Sequence, residues 1–127
     1  MIYIINTLIV LIFSQLLKFI FRYFSNTTDS KNFIWVFSFA TGAPSAHSAV
    51  LVSNLVLLYK DIGASSVFMF SCIISLIFMY NLVADRKREV IRGADQKTLD
   101  ISGHTFFDIF TGILLGFLIG FIMTLWS

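Results

Sequence analysis

The sequence alternates long apolar stretches with short polar ones, and the lengths of the apolar stretches predict membrane-spanning helices. Spans are expected at residues 2–24, 45–59, 64–84 and 104–126. An α-helix rises 1.5 Å per residue, so about 20 apolar residues cross a hydrocarbon core of about 30 Å. The pattern predicts an all-α integral membrane bundle of about four transmembrane helices, with both chain ends on one side of the membrane.

One apolar stretch is too short to span. Residues 33–40 would reach only about 12 Å as a helix, so a short non-spanning segment is expected there. Residues 41–44 then interrupt the pattern, and Pro44 followed by Ser45 is typical of a helix start. Without a linker or a repeat, the chain is interpreted as a single domain covering residues 1–127.

Composition supports the membrane assignment. Hydrophobic residues make up 57% of the chain and charged residues 13%, and the mean hydropathy is +0.88, which excludes an ordinary soluble domain. The net charge of +2 is small, and a basic cluster from Arg86 to Arg92 lies beside an apolar stretch, so anionic headgroups are expected as partners and nucleic acid is not. Cys72 is the single cysteine, which excludes an intrachain disulfide and a cysteine-based metal cluster.

Four crossings bring four widely separated polar groups to the same membrane surface. These groups are Lys18 late in the first span, His47 at the start of the second, the basic cluster after the third and His104 at the start of the fourth. Taken singly, a membrane histidine is often a packing residue, a basic cluster is often a topology signal, and Lys18 could simply reach its ammonium to the interface. Together they indicate a site, because both histidines and the single proline of the chain fall in two short motifs.

The two histidine motifs suit phosphoryl transfer. His104 and Asp108 are four residues apart and share a face on a helix. His104 is the expected nucleophile, and Asp108 would fix its tautomer and stabilise the imidazolium. His47 would protonate the leaving alkoxide and later activate water.

Cations near these motifs would hold the phosphate. Lys18 and the group from Arg86 to Arg88 would neutralise its oxygens, aided by backbone N–H groups where Ser45 opens a helix. Two histidines and an acid also raise the alternative of a metal site. A zinc site normally needs three or four protein ligands, so no metal and no cofactor are predicted.

Three glycines continue the four-residue spacing down the last span. Gly112, Gly116 and Gly120 offer a small-residue surface on which another membrane helix can pack closely. A second copy of the chain is one candidate for that helix, so a homo-oligomer through this face is an expectation.

Two motifs of the chain resemble the type 2 phosphatidic acid phosphatase superfamily, which also contains the vanadium-dependent haloperoxidases. Its motifs are K-x6-R-P, P-S-G-H and S-R-x5-H-x3-D. Residues 44–47 read P-S-A-H, and residues 104–108 match the H-x3-D end of the third motif. The resemblance implies a phosphohistidine on His104, Asp108 as its partner, His47 as general acid and no metal.

A small divergent membrane branch of that superfamily resembles more of the chain. Ser25 and Asn26 replace the Arg-Pro of the first superfamily motif, and Thr98 replaces the arginine of the third. The branch has instead the patterns Q-x2-K, G-G-M-P-S-S-H-S, M-Y-D-A-x-G-V-R-R and L-G-H-T-P-x-E-V. The matching positions here are Gln15 with Lys18, residues 42–48, Met79-Tyr80 followed by Arg86-Lys87, and residues 103–105 with Asp108. This resemblance implies Arg86 and Lys87 as phosphate ligands.

The function predicted is hydrolysis of a membrane lipid phosphate, with phosphatidylglycerophosphate, phosphatidic acid and polyprenyl phosphate as candidate substrates. Two alternatives stay open, namely a non-catalytic protein that binds or moves anionic lipids and a structural protein that docks another helix on the glycine face. Counting basic residues places the charged stretch at residues 85–100, and with it the site, in the cytoplasm. The compact size and the lack of a eukaryotic sorting tail favour a bacterial inner membrane.

Overall fold

The computed structural model describes residues 1–24, 45–93 and 106–126, with residues 21–24 described by their backbone alone. This part of the chain is helical and contains no strand. The four helices are α1 (Ile2–Phe24), α2 (Ala46–Ile62), α3 (Ser66–Ile91) and α4 (Phe106–Trp126). The all-α prediction is confirmed for these ranges, whereas the predicted short segment at residues 33–40 lies outside them.

Three of these helices are long and apolar enough to cross a membrane. They are residues 2–20 of α1, the whole of α3 and the whole of α4. The fourth predicted span, α2, has 17 residues and reaches about 25 Å. The chain is therefore consistent with an integral membrane protein that has three long spanning helices, with the shorter α2 packed among them.

The ends of α2 follow from local sequence. Ser45 has an extended backbone, and its hydroxyl accepts a hydrogen bond from the Ser48 N–H at 3.3 Å, so it caps the helix as the sequence predicted. Gly63 adopts a φ of +62°, and its N–H donates to the Tyr59 carbonyl at 2.8 Å. The positive φ at Gly63 ends α2 and lets α3 begin after Ser65, so α2 and α3 are antiparallel neighbours.

The third helix continues further than predicted. Its apolar part was expected to end at Ala84 and to be followed by a charged loop, but α3 extends to Ile91. Within this extension Arg88 pairs with Asp85, and Arg92 pairs with Glu89 at 3.3 Å, each across three residues. Such pairs, and cations near a helix C-terminus, stabilise helix outside the bilayer.

The closest packing of the bundle joins α2 and α4 along the three glycines. Gly112 lies against Ser48, Gly116 against the backbone of Ala49, and Gly120 against Ser53. All three glycines are buried, which confirms the predicted packing surface. The expectation that this surface joins two copies of the chain finds no support, because α2 of the same chain packs against all three glycines.

Polar side chains link α1 to α2 within the apolar layer. The Asn6 amide nitrogen donates to Ser53 Oγ at 2.6 Å and to Asn54 Oδ1 at 2.8 Å, and Asn54 Nδ2 donates to Thr7 Oγ1 at 2.9 Å. Polar groups are costly in hydrocarbon unless they are paired. This cluster therefore fixes the register of α1 on α2.

Hydrogen bonds at one end of the bundle establish which helix ends meet. The Tyr3 hydroxyl donates to Asp61 Oδ2 at 2.6 Å, and Lys60 Nζ donates to the Thr124 carbonyl at 2.6 Å. The start of α1, the end of α2 and the end of α4 are therefore together. The opposite helix ends, which carry the predicted site residues, meet at the other end of the bundle.

Candidate functional site

Hydrogen bonds to main-chain carbonyls join the first turns of α2 and α4. The Ser45 N–H donates to the Asp108 carbonyl at 3.0 Å, and Ser48 Oγ donates to the Ile109 carbonyl at 3.3 Å. Ser45 and Ser48 are completely buried at this joint. The P-S-A-H motif and the acid of the H-x3-D motif are therefore direct neighbours. Contact of Ser45 with phosphate stays a prediction, since its N–H is used in the joint.

Asp108 is the buried acid of the site. Asp108 is 8% exposed. It lies in the first turn of α4, where the helix dipole favours a negative charge. The Asp108 carbonyl also accepts from Thr111 Oγ1 at 2.9 Å, so the main chain of this turn is held from two sides. His104, the predicted nucleophile, precedes it by four residues and lies outside the described residues.

Lys18 is buried at the same end of the bundle, near the end of α1. Lys18 is only 2% exposed, and Ser14, one turn earlier, is completely buried. A snorkelling lysine would keep its ammonium in water, which the burial of Lys18 contradicts. An intramembrane cation that faces the protein is a functional-site residue by default.

His47 lies in the first turn of α2 and connects the joint to a cavity. The His47 ring contacts the Phe78 ring of α3, with 5.9 Å between the ring centres and 44° between the planes. His47, Gln15 and Phe78 line a cavity of about 380 Å³ between α1, α2 and α3. An exposed imidazole beside a cavity is placed to exchange protons with a bound molecule.

The basic cluster divides into two groups on α3. Arg86 follows the buried Met79 by seven residues, so it continues the face that α3 turns toward the bundle. Lys87 is exposed. Arg88 and Arg92 pair with acids of their own helix. Arg86 is thus the cation of this cluster that the helix directs toward the site end.

A larger cavity lies elsewhere in the described helices. It encloses about 690 Å³ between α2, α3 and α4, toward the end of the bundle that carries Lys60 and Thr124. Its wall is almost entirely apolar, so it offers little for chemistry on a polar group, whereas the smaller cavity beside His47 combines apolar walls with an imidazole and an amide.

Gln15 is a further candidate residue of this site, to which the sequence analysis assigned no role. Its Oε1 is buried and has no hydrogen-bond partner in the part of the chain that the structure describes. Residue spacing could have found it, because Gln15 precedes Lys18 by three residues and shares its helix face.

The described residues form a helical bundle with three helices long and apolar enough to cross a membrane, and the candidate site lies where α1, α2 and α4 meet. Comparison with protein families is more specific. A model described as the Divergent PAP2 family matches residues 2–119, so the chain belongs to that family. This confirms the resemblance based on the two histidine motifs and relates the chain to a phosphatase superfamily. Neither the curated proteins nor the solved structures yield a match.

Proposed function

We propose that the protein is a membrane phosphatase that hydrolyses a lipid phosphomonoester through a phosphohistidine on His104. One observation supports this most strongly. The hydrogen bond from the Ser45 N–H to the Asp108 carbonyl, at 3.0 Å, joins residues of the two histidine motifs at the end of the bundle where Lys18 is buried. Membership of a family related to phosphatases agrees with this chemistry.

The reaction has two steps. His104 attacks phosphorus and the bond from phosphorus to the lipid oxygen breaks, while His47 donates a proton to the leaving alkoxide. Asp108 holds the proton of the other ring nitrogen of His104 and stabilises its positive charge. In the second step His47 takes a proton from water, which attacks the phosphohistidine and releases inorganic phosphate.

Cations neutralise the charge that develops on the phosphate oxygens. Lys18 contributes from α1, and Arg86 and Lys87 contribute from the end of α3. Arg86 is chosen because it continues the face of α3 that carries the buried Met79, and Lys87 is chosen from the resemblance to the divergent branch. Ser45 completes the proposed phosphate ligands through its hydroxyl group.

The position of the site favours an amphiphilic substrate. The helices expose large apolar side chains around the bundle, and the site lies at one end of the bundle, at the depth of a lipid headgroup. Phosphatidylglycerophosphate, phosphatidic acid and polyprenyl phosphates fit this requirement. With the basic residues facing the cytoplasm, we place the protein in a bacterial inner membrane.

The first experiment measures phosphate release by the detergent-purified protein from these three lipids, with and without a chelator. We expect release that persists in the chelator. After an alkaline quench, which preserves phosphohistidine, peptide mass spectrometry is expected to find the phosphate on His104. A folded protein that releases no phosphate from any of the lipids would contradict the proposal.

A second candidate is a non-catalytic protein that binds or moves anionic lipids. Ser25 and Thr98 stand where the superfamily motifs have arginines, which favours this candidate because fewer cations remain to stabilise a transition state. Specific binding of a lipid phosphate, measured without turnover in the same preparation, would support this function.

The Lys18→Met variant tests the buried cation. We expect kcat/KM for the lipid phosphate to fall by about 10²- to 10³-fold, as for the loss of one group that stabilises transition-state charge. The fold should be retained, because Met is an unbranched side chain of similar length that can fill the same buried space.

Leu16→Met is the matched control for this variant. Leu16 is 41% exposed on the lipid side of the same helix, so its replacement should leave kcat/KM unchanged. A Lys18→Met protein with the activity of this control would show that Lys18 serves the structure and not the phosphate.

A further inference from the structure

A cleft runs between α1 and α3, with α2 as its floor. In the described helices α1 and α3 each pack on α2 and not on each other. Two cavities of about 380 Å³ each lie along this gap, and both use Leu51 as part of their wall. From Ala46 to Leu58 the lining covers about 18 Å of α2. The cleft therefore leads from His47 deep into the apolar layer.

The walls of the cleft are mostly apolar, and its polar groups are placed along its length. Tyr3, Asn54, Ser71 and Ser75 line the far cavity, and these groups hydrogen bond within the protein. At the His47 end, Gln15 differs from them, because its buried Oε1 has no partner among the described residues. A buried acceptor without a partner destabilises the protein, and a ligand that donates a hydrogen bond would remove this penalty.

Gln15 lies at a defined depth relative to the proposed phosphate site. It precedes Lys18 by three residues on the same face of α1, so it is about 4.5 Å further from the site end of the bundle. A group that meets Gln15 is therefore the part of the substrate next to the phosphate, on the side of the lipid chain.

We propose that the cleft holds the hydrocarbon chain of the substrate and that Gln15 Oε1 accepts a hydrogen bond from a hydroxyl group beside the scissile phosphate. This inference rests on the proposed phosphatase function and specifies its substrate class. The substrate is a lipid whose terminal phosphate is carried on a hydroxylated linker, as in the glycerophosphate head of phosphatidylglycerophosphate.

The other two candidate lipids lack this hydroxyl group. Next to its phosphate, phosphatidic acid has a glycerol esterified at both other positions, and ester oxygens are acceptors only. A polyprenyl phosphate has hydrocarbon at the same place. Either lipid would leave Gln15 Oε1 buried and without a donor, and a site built for a hydrogen bond discriminates against such analogues.

The test measures kcat/KM for phosphatidylglycerophosphate and for phosphatidic acid with identical acyl chains in the same mixed micelles. Wild-type protein is compared with Gln15→Met, which removes the amide, and with Gln15→Glu, which keeps an oxygen at this position. Leu16→Met again serves as the lipid-facing control. Circular dichroism and size-exclusion chromatography report folding of each protein.

We expect the wild type to prefer phosphatidylglycerophosphate and the ratio of the two kcat/KM values to fall about tenfold in Gln15→Met, as for the loss of one buried hydrogen bond. Gln15→Glu and Leu16→Met should keep the preference. A ratio that Gln15→Met leaves unchanged, or a wild type that prefers phosphatidic acid, overturns this inference but leaves the phosphatase proposal in place. A folded wild type without phosphate release from either lipid overturns both.

Discussion

Protein carrying Asp108→Asn is expected to fold normally and to lose about 10⁴-fold in kcat, because an amide at this position orients a histidine in the wrong tautomer and cannot stabilise an imidazolium. The fold should survive because α2 is held here by the Asp108 carbonyl, which accepts from the Ser45 N–H at 3.0 Å. This main-chain contact does not depend on the side chain. Phosphate release from the preferred lipid and thermal unfolding in detergent are the two measurements.

Asp85→Asn is the matched control for this substitution. Asp85 is an exposed acid of α3 that pairs with Arg88, and an exposed ion pair contributes at most about 1 kcal/mol to stability. Its replacement should change neither kcat nor the unfolding temperature measurably. If Asp108→Asn retained the activity of this control, the Asp108 carboxylate would serve packing alone and the phosphohistidine mechanism would lose its acid.

Much of the fold could be predicted from apolar lengths and cap residues. The bounds of α1 and the start of α2 at Ser45 agree with the structure, because hydrocarbon thickness sets helix length and a serine beside a proline is a strong start signal. The continuation of α3 to Ile91 was missed. The length of an apolar stretch does not show whether a helix continues beyond the bilayer. There the ion pairs Asp85–Arg88 and Glu89–Arg92 stabilise α3 instead.

The sequence predicted which of the described candidate residues lie at the same end of the bundle, but not their contacts. Counting crossings was enough to bring Lys18, His47 and Asp108 to the same end of the bundle. The bond between Ser45 and the Asp108 carbonyl could not be predicted, because main-chain contacts leave no signal in residue types. The resemblance and the spacing to Lys18 both point to Gln15, but one amide in an apolar helix does not reveal whether its oxygen has a donor.

The glycine spacing shows a further limit of sequence analysis. Small residues at four-residue intervals predict a face for close packing, but they do not identify the helix that packs there. The structure identifies α2, whose Ser48, Ala49 and Ser53 are themselves small and buried. Because the same two helices meet at the Ser45–Asp108 bond, close packing along the glycines also determines the geometry of the site.

Gly116→Leu is therefore expected to remove folded protein and activity together. A Cβ at this position would lie 2.9 Å from the Ala49 Cα and 3.0 Å from its carbonyl carbon, and this backbone cannot move aside as a flexible side chain could. One extra methylene in a packed core already costs about 1–3 kcal/mol, and leucine adds more than one.

Thermal unfolding and the monodisperse fraction in detergent measure the effect. Phe117→Leu is the control, because Phe117 is 59% exposed on the lipid side of the same helix and its replacement should leave both measurements unchanged. Gly116→Ala should be intermediate, since it adds the clashing carbon without the rest of the side chain. If Gly116→Leu were as stable as Phe117→Leu, α4 would not pack on α2 through its glycines, and that face would be open to a second copy of the chain.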